Sequence, residues 1–308
     1  MTEPSLISII TPSLNRADMI ATAIESVLAQ GYPQFEHLIV DGGSTDGTLD
    51  MLKRYPHLRL LSGKDKGVYD ALNKGIAAAH GDIIGQLNTD DHYDISAFGR
   101  VMEIFDHAPA VDAVVGGARV FEIAADGCER TIATYEPVGP GEIVYRSMVG
   151  VPIFNAWFFR KSVFNRVGSY SLNYPIVSDR DFLIRCHLVG LNLATVNSII
   201  YHYCQHPGSL SISGRTDLQL PLALDSIGLA EKYIGLTVSD PIVRDLARDW
   251  HLKLALELTA GALYQGNLLS ALEFFWRGWR YDPRWIGYFL KHAFLRAVRI
   301  IHPIGGKL

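Results

Sequence analysis

Two adjacent carboxylates stand where an apolar run stops. Asp82-Ile83-Ile84 leads into Gly85-Gln86-Leu87-Asn88-Thr89-Asp90-Asp91-His92-Tyr93. Short apolar runs of this kind read as buried strands of a parallel sheet, and ligands collect just beyond their carboxyl ends. Neighbouring carboxylates repel unless a cation or hydrogen-bond donors lie between them. A hard divalent ion, Mg2+ or Mn2+, suits such an oxygen-rich site, with phosphate oxygens completing its shell. The same acids would equally cap a helix over Tyr93–Asp106. Both readings stay open at this level.

Two other loops carry polar groups at strand ends. Asp41-Gly42-Gly43-Ser44-Thr45-Asp46-Gly47-Thr48 opens with an acid, which suits ribose hydroxyls or a base N–H better than a phosphate. Its plain structural alternative is a turn with Asp46 as a helix cap. The chain has neither GxGxxG nor GxxxxGK[ST], so dinucleotide and P-loop readings lose their main support. In Gly63–Asp70, Lys64 and Lys66 either offset phosphate charge or are simply solvated.

The elements that must hold these loops alternate. Leu6–Thr11, Phe35–Val40, Leu58–Leu61 and Asp82–Leu87 read as strands. Helices are expected over Arg16–Gln30, Leu49–Arg54 and Gly67–Ala79, which implies a parallel sheet with right-handed crossovers. Asp112–Gly116, Arg119–Ile123 and Arg130–Thr134 then look like strands, Ser162–Val167 and Asp179–Val189 like helices, and Ala194–Tyr201 like a strand. From Asp217 the pattern is helical, over about 217–234, 240–264, 268–279 and 283–301. The shift near Ser213-Gly214 divides the chain into 1–215 and a helical 216–308.

Composition bounds the rest. The 308 residues are 48% hydrophobic and carry a net charge of −4, which gives no footprint for nucleic acid. Cys128, Cys186 and Cys204 lie far apart, so a disulfide framework or zinc site is not expected and a reducing cytoplasm is. No signal peptide or membrane span is expected either. Arg284–Leu308 holds five Lys or Arg and no acid, and Leu290, Phe294, Ala297, Val298 and Ile301 share a helical face. With Trp285 and Phe289, that helix either lies on an anionic membrane or packs on its neighbours.

Taken together, these motifs resemble a family-2 glycosyltransferase with the GT-A fold, a Rossmann-like mixed sheet, here followed by an α-helical region. Thr11-Pro12-Ser13-Leu14-Asn15 resembles that family's first-strand motif and Asp41–Thr48 its nucleotide loop. Asp65–Gly75, with Lys66 and Asn73, is similar to a stretch in bacterial members, and Asn88-Thr89-Asp90-Asp91 resembles the metal-binding DxD region. The resemblance covers 6–215.

It implies a role for each matching position. Thr11, Pro12, Asn15, Asp41, Gly43, Asp65, Lys66 and Asn73 would bind the sugar nucleotide, and Asp90 would hold its ribose or metal side. Asp91 would ligate Mn2+ or Mg2+, with Asp90 sharing the ion because Asn88 stands at the first DxD position, and His206 would complete the metal shell or bond a phosphate oxygen. In Ser178-Asp179-Arg180-Asp181-Phe182, Asp179 would be the base that takes the acceptor's proton; as a plain residue it would cap a helix. Outside the matching positions, Trp157 and Asp181 are candidates to face the acceptor, with a place in the core the equal alternative for Trp157. The pattern departs at Gly42, where many members carry an acid that recognises uracil, and at Asn88, Ser178 and Phe154-Asn155-Ala156-Trp157. The implied activity is inverting transfer of a sugar from a nucleotide diphosphate sugar, UDP-linked, to a glycan or lipid-linked acceptor in polysaccharide or cell-surface glycan synthesis. The expected setting is the cytoplasm, at the inner face of the plasma membrane through 283–308. A nucleotidyltransferase and a degenerate glycan-binding protein are the rival classes.

Overall fold

A computed structural model describes residues 5–209, 216–235 and 240–292. The chain divides into two compact units, Met1–Arg215 and Thr216–Leu308.

The first unit is built on nine strands. In chain order its elements are β1 (Ile7–Ser13), α1 (Ile20–Leu28), β2 (Phe35–Asp41), α2 (Thr48–Leu52), β3 (Leu58–Ser62), α3 (Val68–Ala78), β4 (Ile83–Gln86), β5 (His92–Tyr93) and α4 (Ala97–His107). There follow β6 (Ala113–Ile123), β7 (Glu129–Tyr135), α5 (Ile143–Met148), β8 (Trp157–Arg160), α6 (Lys161–Val167), α7 (Ser178–Leu188) and β9 (Leu193–Cys204). The sheet runs β3-β2-β1-β4-β8-β6-β9-β5, with β7 on β6. β1 to β4 are parallel, whereas β8 is antiparallel to both β4 and β6. Ile7, Ile9, Ile10, Leu38, Ile39, Val40, Ile83 and Ile84 are almost wholly buried, as expected of strands covered on both faces. One core joins Ala23 and Val27 of α1 to Phe98, Val101 and Met102 of α4. The other joins α3 to Val163, Phe164, Phe182 and Leu183 of α6 and α7.

Three expectations change. The two strands expected at Asp112–Gly116 and Arg119–Ile123 are the single β6, whose register against β9 shifts around Gly116-Gly117. A Cβ on Gly116 would meet Ile200 at 2.5 Å, so the glycines mark close approach across a bulge, not the end of a strand. The helix expected from Tyr93 begins at Ala97, after β5, with Ser96 at its N-cap. Asp90 and Asp91 therefore cap nothing. Trp157–Phe159, expected in no strand, forms most of β8 in mid-sheet.

The second unit contains α8 (Thr216–Gly235), α9 (Pro241–Tyr264) and α10 (Leu268–Tyr281), and residues 285–292 are again helical. Asp240 caps α9 by accepting from the N–H groups of Ile242 and Val243. Arg277 of α10 grips Glu231 of α8 with two hydrogen bonds, at 2.5 and 2.9 Å, and His251 of α9 lies 3.3 Å from the same carboxylate. Trp285 is fully buried and packs on Phe275, Phe289 and Gly278, the packing alternative of the two readings of its helix. The remainder of the expected membrane helix, from residue 293 on, lies outside the described residues. Among the described residues no helix is long and apolar enough to cross a membrane.

Candidate active site

The chain passes from β1 to β2 and β3 on one side, then returns to place β4 on the other side of β1. Such a reversal opens a crevice at the carboxyl ends of the two central strands. Thr11–Asn15 and Asn88–Asp91 leave β1 and β4 at that crevice.

One lip is stitched from two loops. Asn15 takes a left-handed conformation (φ 54°), its N–H donates to Ser44 Oγ at 2.8 Å, and its Oδ1 accepts from Thr45 N at 2.9 Å. Asp41 is fully buried. Its Oδ2 accepts from Gly43 N and Ser44 N, both at 3.0 Å, and from Ser62 Oγ at 3.1 Å, while Oδ1 accepts from Ser44 Oγ at 2.5 Å. Gly43 (φ 96°) supplies the left-handed bend that turns these N–H groups inward. As placed, Asp41 builds the loop rather than reaching out of it. Thr11 is likewise buried, its Oγ1 lying 2.9 Å from His37 Nε2, and Pro12 beside it is half-buried. Burial, with His57 nearby, pushes His37 down to about 3, so the ring is neutral.

The β3–α3 loop faces this lip. A Cβ on Gly42 would come within 2.7 Å of Asp65 Oδ2. The Asp65 carboxylate thus fills the space in front of Gly42, the position where the sequence lacks the second acid of the resembling motif. Its Oδ1 is fixed by Gly67 N at 2.9 Å. Lys66 is exposed at the same turn. Asn73 turns away: it clamps the Tyr170 backbone, donating to its carbonyl and accepting from its N–H, both at 2.9 Å. Those two bonds fix the start of the segment that leads to α7.

The acidic pair splits into two roles. Asp91 is fully buried, with Cys204 N donating to Oδ1 at 2.7 Å, and Tyr201 OH (2.5 Å) and Asn88 Nδ2 (3.0 Å) donating to Oδ2. Burial first, and then the Asp90 charge, push its carboxyl up to about 8, although these three donors favour the ionised form. Expected as a metal ligand, Asp91 instead ties the end of β4 to β9. Asp90 keeps some exposure, and its Oδ2 lies 2.7 Å from His206 Nε2 in the loop after β9. Gly208 N donates to His206 Nδ1 at 3.1 Å, so in the neutral ring Nε2 carries the proton shared with Asp90. Among the described residues no group of three His, Cys, Asp or Glu side chains is arranged to hold a metal. An oxygen and a nitrogen ligand from Asp90 and His206 nevertheless fit a Mg2+ or Mn2+ ion, because such ions take much of their shell from phosphate and water.

Asp179 lies in the first turn of α7. Its Oδ1 accepts from Tyr69 OH at 3.0 Å and Arg180 N at 2.8 Å. Removal from water raises its pKa above the ordinary carboxylate value, opposed by the Arg180 charge. Tyr69 belongs to α3, directly behind the Asp65 loop, and its single hydroxyl proton is shared between Asp179 Oδ1 and the Ile176 carbonyl, both at 3.0 Å. Sequence reasoning passed over it, although its place between Lys66 and Asn73 was a signal. Tyr201 and Asn155 were missed too; Asn155 Nδ2 donates to Tyr201 OH at 2.9 Å, behind Asp91. The two acceptor residues expected alongside Asp179 lie in the interior. Trp157 is 1% exposed and stacks on Phe159, and Asp181 is fully buried against Arg185 Nε at 2.9 Å. Neither offers a face to a ligand.

Known proteins bear on this arrangement. The chain is 32% identical over 198 residues to an uncharacterized glycosyltransferase of Mycobacterium tuberculosis, covering 61% of this chain and 71% of that one. It is 34% identical over 188 residues to a PGL/p-HBAD biosynthesis glycosyltransferase of Mycobacterium bovis, covering 59% and 69%. S. aureus TarS 1-349, solved with UDP-GlcNAc, superposes with a TM-score of 0.61 at 15% identity over 88% of this chain and 81% of that one. The chain matches only 43% of the longer TarS chain. The mannosyltransferase PcManGT of Pyrobaculum calidifontis, solved with GDP-Man and Mn2+, gives 0.58 at 18% identity over 99% and 89%. These likenesses show the GT-A fold. The family model described as glycosyl transferase family 2 matches residues 8–168, more than half of the chain, and the protein is a glycosyltransferase of that family.

Proposed function

We propose that the protein moves a sugar from a nucleotide diphosphate sugar, UDP-linked, to a hydroxyl of a glycan or lipid-linked acceptor, with inversion at the anomeric carbon. The observation that carries this reading is the Asp90–His206 pair at the mouth of the β1–β4 crevice. Asp90 and His206 would hold the divalent ion, in place of Asp91. When bound, the ion supplies countercharge to the leaving diphosphate. To serve as a ligand through Nε2, His206 would have to give up the proton it shares with Asp90, while its Nδ1 accepts from Gly208 N.

Asp65 would accept a base N–H in front of Gly42, taking the part of the missing acid. Lys66 would neutralise phosphate charge at the same turn. Asp179 would accept the acceptor's hydroxyl proton as its oxygen forms the bond to C1. The C1–O bond to the diphosphate breaks and its electron pair leaves with the nucleotide. Tyr69 holds the base in place while leaving the carboxylate ionisable. Neighbours solved with UDP-GlcNAc and with GDP-Man and Mn2+ support a nucleotide-sugar donor. A role in cell-surface glycan synthesis, with peripheral membrane contact through the second unit, follows from a lipid-linked acceptor.

The test is release of free nucleotide from a panel of UDP- and GDP-sugars, with and without Mn2+. Mn2+-dependent turnover of a UDP-sugar is expected. Pyrophosphate release from a nucleoside triphosphate and a sugar phosphate would establish a nucleotidyltransferase instead, and no turnover of any donor with any acceptor would favour a glycan-binding role.

A further inference from the structure

We infer that the outer face of α10 is a docking surface for an anionic lipid bilayer. Helix α10 has two apolar faces. Ala271, Phe274 and Gly278 are buried. Leu268, Leu269, Leu272, Trp276 and Trp279 fall within a single arc on another side of the helix and are all exposed, Leu269 at 82%, Trp276 at 61% and Leu272 at 57%. At the end of α9, just before α10, Leu263 and Tyr264 are exposed as well, Tyr264 at 95%. Single exposed apolar residues need no explanation, but a continuous stripe with two tryptophans marks an interaction surface.

The charge pattern identifies the partner. The whole chain is acidic at −4, yet from Tyr264 to Leu308 it carries seven Lys or Arg against two Asp or Glu. Arg280 and Lys291 are exposed, whereas Arg284 is paired with Asp282 and Asp249 and Arg277 with Glu231; Glu273 is the exposed acid of α10. Tryptophan settles at the boundary between headgroups and acyl chains, and basic residues around such a stripe draw it to anionic headgroups. A helix presenting an apolar face and neighbouring cations lies in the interface plane without spanning it. This moves the membrane contact from 283–308 to α10, and it deepens the peripheral contact proposed above and rests on it. Donor hydrolysis, measured on the same samples, reports the catalytic reading separately.

The experiment is sedimentation of the full chain with vesicles of phosphatidylcholine alone or mixed with phosphatidylglycerol. Wild type is expected to pellet with the anionic vesicles and only weakly with the neutral ones. The variant Leu272→Ser/Trp276→Ser/Trp279→Ser removes side chains that are exposed, and is expected to bind anionic vesicles at least ~10-fold more weakly with donor hydrolysis unchanged. Arg280→Glu/Lys291→Glu should weaken binding to the anionic vesicles alone. Brominated lipid should quench tryptophan fluorescence in the unmodified protein, a readout that needs no variant. The inference is overturned if wild type does not pellet, if the triple variant pellets equally, or if brominated lipid leaves the fluorescence unchanged. It is also overturned if wild type is a dimer that the triple variant converts to a monomer without any vesicle binding, since the stripe would then join two copies.

Discussion

Asp179→Asn separates a catalytic base from a residue that only shapes the start of α7. The amide keeps Oδ1 as acceptor for Tyr69 OH at 3.0 Å and Arg180 N at 2.8 Å, so the local hydrogen bonds survive. What is lost is an oxygen able to take a proton. General-base catalysis contributes ~10²–10⁴-fold, about 2.7–5.5 kcal/mol of barrier, and turnover should fall within that range. Stability should move the other way. Burial raises the Asp179 pKa in the folded state, so its stabilising contribution is complete below the unfolded value of about 3.9 and is lost as pH rises through the folded value. Around neutral pH the ionised carboxylate is therefore a cost to the fold that the neutral amide removes, and the melting temperature should hold or rise. The assay pairs single-turnover transfer at saturating acceptor with thermal unfolding of the same preparation, and follows wild-type kcat/KM against pH. The acid limb of wild type should lie above the ordinary carboxylate range. Near-normal turnover of the variant, or a fall in turnover accompanied by a lower melting temperature, would refute the base assignment.

The remaining predictions concern the donor side. Asp90→Asn and His206→Gln should each cut Mn2+-dependent donor hydrolysis by ~10²-fold and weaken Mn2+-dependent nucleotide binding in calorimetry, while full activity in chelator would remove the metal assignment altogether. Asp91→Asn should retain activity within several-fold. Because the carboxyl is pushed up to about 8, wild-type stability should fall as pH rises from about 4 through 8, and this variant should lose that slope in urea unfolding; Asp91→Ala, leaving buried donors unpaired, should cost about 1–3 kcal/mol. Asp65→Ala should raise KM for a UDP-sugar by ~10-fold with little change in kcat and narrow any preference over GDP-sugars, and unchanged base preference would return base recognition to the backbone of the lip.

The parallel half of the sheet was legible because its strands are continuous apolar runs punctuated by Pro12, Asp41-Gly42 and Gly63. The mixed half was not, for physical reasons. Gly116-Gly117 reads as a breaker in a linear pattern, and only the approach of Ile200 and the Ser198 backbone explains glycine in mid-strand. Trp157-Phe158-Phe159 has no polar alternation to mark a strand, since both its faces are buried. The site shows the same division. A sequence announces an acidic pair but not which acid turns inward. That choice is made by Tyr201, which lies 110 positions away, and by the Cys204 N–H. Asp181 and Trp157 carried side chains suited to an acceptor, yet the helix periodicity and the mid-sheet position put both in the core.

The fold places donor and acceptor chemistry on separate supports. The loops after β1 and β2 are fastened to one another by Asn15 and Ser44, and Asp41 ties them to Ser62 at the end of β3, so the lip proposed to take the nucleotide is braced from three strands. His206 and Asp179 come from the other half, through the loop after β9 and the start of α7. Among the hydrogen bonds that span the division are His206 to Asp90 at the end of β4 and Tyr69 of α3 to Asp179. The first joins the two side chains proposed to hold the divalent ion. The second is made by a hydroxyl on the helix that begins three residues after Asp65. That helix therefore joins the Asp65 loop to the carboxylate proposed as the base. On that proposal, donor loading at the loop would bear on the position of the base, because the same helix holds the Asp179 carboxylate.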